Sequence, residues 1–455
     1  MLGVALLLLV ASGDEHATTP GLQEGRPPVA LASPLQALVD AARPGDTVVV
    51  PAGEYRGDLI VDRPLTLRGT GRPRLVGSGT GSVVRIRAAD VTVEGFDIDG
   101  LGGGDLGRDA SGVHVAAPRV EVRDCRIDRC LFGVYLREAD GGAVRGCRIH
   151  GIPGKEPGEK GSGIHVWNTQ GFALERNEIV DVRDGFYIQS SSQGRVTGNV
   201  ARDLRYGLHY MFSDDNVFED NLFENGDAGT ALMYSRRITF RRNRFLHNRG
   251  FASVGLLFKA CDDVVAEGNL VADNARGIFL EGSYRNVFRG NVVADSDVAI
   301  VLYDSSGGNR FEDNSFVGNM SPLNLVGKRT DTVFRGNYWS SNPELDLDGD
   351  GRSDRPYRLT SVFDHVRGNV AAADLMAQGL GARALGVAEG TFPVLQPVLV
   401  LDESPRARPP ILPEVPAATA RTGGRHAAGL GLSLVSIGLG ALTLALAARP
   451  MRGRP

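Results

Sequence analysis

An asparagine or cysteine returns along this chain at Cys125, Cys147, Asn177, Asn199, Asn221, Asn243, Asn269, Asn291, Asn314 and Asn337. Most steps are 22 or 23 residues; the longer ones are 30, from Cys147 to Asn177, and 26, from Asn243 to Asn269. Glycine keeps the same beat at Gly133, Gly163, Gly185, Gly207, Gly229, Gly255 and Gly277. Between these marks lie short apolar or alternating runs such as VFEDN and ITFRRN, which are strand patterns and not helical ones. Such a unit cannot bury its own apolar face, so the turns must stack into one core. The period predicts an all-β fold: a right-handed parallel β-helix over residues 30–365, of ten to twelve turns. Asparagine suits the corners because it tolerates left-handed backbone and its amide can bond its equivalent one turn away. With 60 glycines in 455 residues, the composition fits a chain that turns often.

The ends read differently. Residues 1–13 have a short apolar core and a small-x-small site, the pattern of a secretory signal peptide. PGDTVVVPAGEY, with the helical LQALVDAA before it, predicts a cap over the open first turn. Residues 366–401 form an amphipathic tail, 402–428 a Pro/Ala-rich linker, and 429–448 an uncharged stretch long enough to span a membrane once. The basic residues at 449–455 favour a cytoplasmic end. The middle is thus expected outside the cytoplasm, anchored to the membrane. A net charge of −4, with no basic patch interleaved with aromatics, argues against a nucleic-acid partner.

Strand alternation places the chemistry. In the strand after each glycine, the first and third residues are almost all apolar and should face inward. The second residues then form an outward column: His114, Tyr135, His165, Tyr187, His209, Ala231, Leu257, Phe279. The fourth residues form its neighbour: Ala116, Arg137, Trp167, Gln189, Met211, Met233, Lys259, Glu281. His209, Met211 and Met233 can therefore converge. One imidazole with two thioethers is a soft, neutral donor set that suits Cu(I), with His165 as a secondary stop. The competing reading is a docking face without metal, or a face covered by the loop HGIPGKEPGEKGSG.

A second candidate is DLDGDGRSD, where Asp346, Asp348, Asp350 and Asp354 mimic half of a calcium loop that lacks its final glutamate. Cys125 and Cys147 lie one period apart: stacked apolar thiols, a disulfide and a soft-metal role are all compatible with that spacing. A β-helix also suits polysaccharide lyases, epimerases and carbohydrate-binding solenoids. Such an enzyme needs outward carboxylates at fixed spacing, and the fourth-residue column offers few.

PGDTVVVPAGEY, the GLHYM and ALMYS pair, NYWS and DLDGDGRSDRPY together resemble the NosD family of nitrous oxide reductase maturation proteins, over roughly residues 35 to 400. The Asn-Gly repeat is shared by many β-helices, so the paired HYM and MYS segments with NYWS carry the likeness. The resemblance implies a periplasmic accessory protein that is not an enzyme. It implies that the protein stands on an ABC-type transporter and receives Cu(I) from a lipoprotein chaperone. It further implies that Cu(I) or a sulfur species is presented for the copper centres of nitrous oxide reductase. His209, Met211 and Met233 are the positions it touches.

Overall fold

The computed structural model describes residues 34–249, 253–342, 345–360 and 400–418. The expected signal peptide, most of the amphipathic tail, and the span at 429–448 lie outside these residues. Among the described residues no helix is long and apolar enough to cross a membrane.

The chain winds as a right-handed parallel β-helix of about 13 turns, slightly more than the repeat count predicted. Each turn gives one strand to each of three sheets of 15, 13 and 12 strands. The helix Pro34–Ala41 covers the first turn, burying Leu35 and Val39, as the cap pattern implied. Phenylalanines from successive turns stack along the core: Phe218 on Phe240 at 4.8 Å and Phe288 on Phe311 at 4.5 Å between ring centroids. The glycine column exists because adjacent turns approach closely there: a Cβ at Gly207 would stand 2.6 Å from the Gly229 carbonyl oxygen.

The asparagines form the expected column. Asn199 donates from its backbone N–H and its Nδ2 to Asn221 Oδ1 at 3.0 and 2.9 Å, and Asn221 repeats the pattern onto Asn243. Each Nδ2 also reaches a backbone carbonyl of the turn before, as Asn221 does to Val196. Nothing polar in this buried line is left open. Cys147 enters the ladder by its backbone N–H, which donates to Asn177 Oδ1 at 3.0 Å. All four cysteines are free and buried. Cys147 is pushed well above the ordinary thiol value by its hydrogen bond with Cys125 and by burial.

The stretch read as a linker departs from expectation. Leu401, the last residue of the expected tail, and Asp402, the first of the expected linker, form a strand that pairs with Val333–Arg335, and Tyr357–Arg358 pairs antiparallel with it as the last strand of the first sheet. Beyond it the chain stays on the solenoid: Arg406 meets Asp313 at 2.9 Å, and the Pro416 carbonyl accepts from His247 Nε2 at 3.0 Å. Proline-rich composition forbids a helix or a central strand, but it does not forbid an extended strap lying on a ready-made surface.

Candidate functional site

The third sheet carries the outward columns in the predicted register. Tyr135, His165, Tyr187, His209 and Ala231 are successive partners, and so are Trp167, Gln189, Met211, Met233 and Lys259. The residues between them, such as Leu208, Tyr210 and Leu232, are fully buried. The side chains of His209, Met211 and Met233 are therefore held on one face by a rigid sheet, each half-buried.

The second column is a ladder of rings. His114 to Tyr135, Tyr135 to His165, His165 to Tyr187 and Tyr187 to His209 have centroids 5.3, 4.3, 4.5 and 4.6 Å apart. Burial, reinforced by the nearby Arg183 charge, lowers the His165 pKa to about 3, which keeps that ring neutral. Its Nδ1 is buried without a hydrogen-bond partner. Phe132 packs against both Tyr135 and His165. Phe132 belongs to a small apolar cluster with Ala110, Leu131 and Ile152. Ile152 of the long loop packs in that cluster, next to the lower end of the column. His165 stands there, two turns from His209.

Tyr187 ties the upper end together. Its ring meets His209 edge-on, and its hydroxyl lies 3.9 Å from Met211 Sδ. Sequence reading did not find Asp184. It is fully buried, and its Oδ2 stands 3.3 Å from His209 Nδ1. Arg205 clamps both Asp184 oxygens, at 2.9 and 2.7 Å. Burial pushes the Asp184 pKa up, but the hydrogen bonds from His209 and Arg205 outweigh it and leave the carboxyl below its ordinary value. Arg205 Nη2 also stands 3.5 Å from the same ring nitrogen. In the tautomer that carries its proton on Nδ1, that N–H donates to Asp184 and the Nε2 lone pair stays available, the arrangement that orients metal-binding histidines. A signal was available: the column Ser162, Asp184, Tyr206, Ala228 holds one carboxylate among small or aromatic residues.

Among the acidic candidates, Asp346, Asp348 and Asp350 bring carboxylate oxygens within 4.8 Å of one another. Asp354 is outside that group, and its Oδ2 accepts from the Leu347 N–H. The carboxylates also cap their own turn: Asp346 accepts from Gly349 and Gly351, and Asp350 from Arg352.

The fold defines the class: a long, in-register parallel β-helix, which here presents His209, Met211 and Met233 on one outer face. A model of the family described as "Periplasmic copper-binding protein (NosD)" matches residues 143–345. Over 381 residues the chain is 31% identical to the "Probable ABC transporter binding protein NosD" of Stutzerimonas stutzeri, covering 79% of this chain and 86% of that one. It is 30% identical to the protein of the same name from Pseudomonas aeruginosa, covering 79% and 87%. This chain belongs to the NosD family. Among solved structures, the mannuronan C-5 epimerase AlgE4 A-module of Azotobacter vinelandii is similar in fold, with a TM-score of 0.57, 17% identity, and coverage of 65% of this chain and 93% of that one.

Proposed function

We propose that this chain is a periplasmic, membrane-anchored accessory protein, not itself an enzyme, that receives and presents Cu(I) for the copper centres of nitrous oxide reductase. It works beside an ABC-type transporter and takes its cargo from a lipoprotein chaperone. The observation that carries this reading is the pairing of Met211 with Met233 in register, beside a His209 whose Nδ1 is turned to Asp184. Thioethers and a neutral imidazole prefer Cu(I) to hard cations. A half-buried outer face is also reachable by another protein, as handover requires. A sulfur species is the alternative cargo, and these donors offer it no obvious hold.

The purified chain is expected to retain Cu(I) against bicinchoninate under reducing conditions. Loss of all copper to the competitor would remove the reading. The competing class is a β-helix enzyme acting on uronate polymers. Glu281, the carboxylate of the fourth-residue column, is paired with Lys259 at 3.3 Å, which favours the binding role. Turnover of alginate or polygalacturonate by the purified chain would reverse that preference.

Calcium at Asp346, Asp348 and Asp350 is a structural proposal. Chelation is expected to expose the 340–360 segment to protease while the turns stay resistant. Equal cleavage with and without chelator would mean that the loop closes by its own hydrogen bonds.

A further inference from the structure

On seven successive turns of the third sheet the residue that follows the fourth-residue column has left-handed backbone; Tyr234 and Ala260 lie within their strands, Ala228–Arg236 and Val254–Asp262. Successive turns place there Glu138, Asn168, Ser190, Phe212, Tyr234, Ala260 and Gly282, with φ between 48° and 59°. The residues of this column other than Phe212 and Tyr234 are small or polar, which that conformation suits. Phe212 and Tyr234 break the pattern on two adjacent turns. They are also exposed, at 52% and 48%, and their rings stack at 5.1 Å with an interplanar angle of 11°. No core claims them, and they follow directly on Met211 and Met233. The Phe212 N–H donates to the Met233 carbonyl at 3.2 Å, so the aromatic platform and the thioether pair share one rigid corner.

Beside the rings lies an open hollow of about 450 Å³, lined by Phe212, Asp214, Tyr234, Ser235, Arg236 and Asp262. Its charged groups are held in ion pairs. Arg236 meets Asp214 at 3.2 Å, Arg237 meets Asp215 at 2.7 Å, and Arg285 spans Asp262 and Asp263 at 3.4 and 2.7 Å. These three guanidinium groups face four carboxylates, so the corner keeps one net negative charge, and two exposed ring faces are its distinctive chemistry.

We propose that Phe212 and Tyr234 dock a methionine-bearing segment of the polypeptide that exchanges Cu(I) at Met211 and Met233. This rests on the copper reading above and names the partner chemistry of that face. Thioethers are the group that both binds Cu(I) and packs favourably on aromatic rings. A segment carrying several methionines can therefore settle one on the platform while another reaches the copper.

The test uses the full chain and a labelled methionine-rich peptide, read by fluorescence anisotropy with and without Cu(I). The double substitution Phe212→Asn and Tyr234→Asn suits left-handed backbone, so melting is expected to be unchanged. Peptide binding should weaken by at least about tenfold, as for loss of central anchors, while Cu(I) retention stays within about twofold. Wild-type affinity for the peptide in the double variant, or no peptide binding by the unaltered chain, overturns the proposal. Met211→Leu with Met233→Leu separates the two readings. If that variant holds Cu(I) normally, the copper assignment falls, and the dependence of Cu(I)-free peptide binding on Phe212 and Tyr234 still decides the docking one.

Discussion

Replacing Met211 and Met233 together by leucine is expected to lower the affinity for Cu(I) by at least about a hundredfold. Loss of a single group that merely orients a ligand already costs about ten- to a hundredfold, and this change removes two ligands. Size and apolarity are kept, so the stability cost should stay below about 1.5 kcal/mol. The reason lies in the sheet: both side chains project from in-register strands whose inward neighbours, Tyr210 and Leu232, are untouched. Copper competition and thermal melting on the same sample separate the two effects. Maturation of nitrous oxide reductase in cells should fail with the double variant. Normal copper binding and normal maturation would mean that the methionines only pack, and the docking-face reading would replace the copper one.

The second large effect is expected at Asp402. Its buried carboxylate accepts from the backbone N–H of Gly336 at 3.1 Å, of Asn337 at 2.9 Å and of Ser404 at 3.2 Å. It also accepts from Asn337 Nδ2 at 2.9 Å and Trp339 Nε1 at 3.1 Å. It is the terminal acceptor of the asparagine ladder, standing where the next asparagine would be. Asp402→Ala leaves several buried donors without a partner, and about 3–5 kcal/mol should be lost. Asp402→Asn keeps one oxygen but turns an amide donor toward donors, so it should rescue only part. Melting curves that superimpose on the unaltered protein would show that the ladder ends before this residue.

The ladder and its cap show what the sequence made legible. Asn199, Asn221 and Asn243 announce themselves because one conformation recurs at one period, and the inward-outward order of each strand follows by alternation. Asp402 belongs to the same line, yet 65 residues separate it from Asn337 and no periodic signal reaches across them. Its neighbours Pro405 and Pro409 suggested an untethered linker, since composition reports what a segment cannot form and not where it lies. The candidate site divides in the same way. His209, Met211 and Met233 were placed on one face by counting. Asp184 was missed because its role depends on which way a buried carboxylate turns at the edge of a strand. The platform at Phe212 and Tyr234 was missed because the left-handed corner is a backbone property, and aromatic side chains give no hint of it.

The asparagine ladder has one consequence for distance. Every turn adds the same axial step, about 4.8 Å, and the ladder's hydrogen bonds hold that step from Asn177 to Asp402. The solenoid is therefore a ruler. The strands after Met233 in its sheet begin at Val254, Arg276, Val298 and Ser321, so the methionine pair is held some four graduations from the capped end. Whole turns could be added or removed between these points without disturbing either terminus, and each would change that standoff by one fixed increment. A family built this way can match the height of a partner by copying a repeat, with no need to redesign the face that meets it.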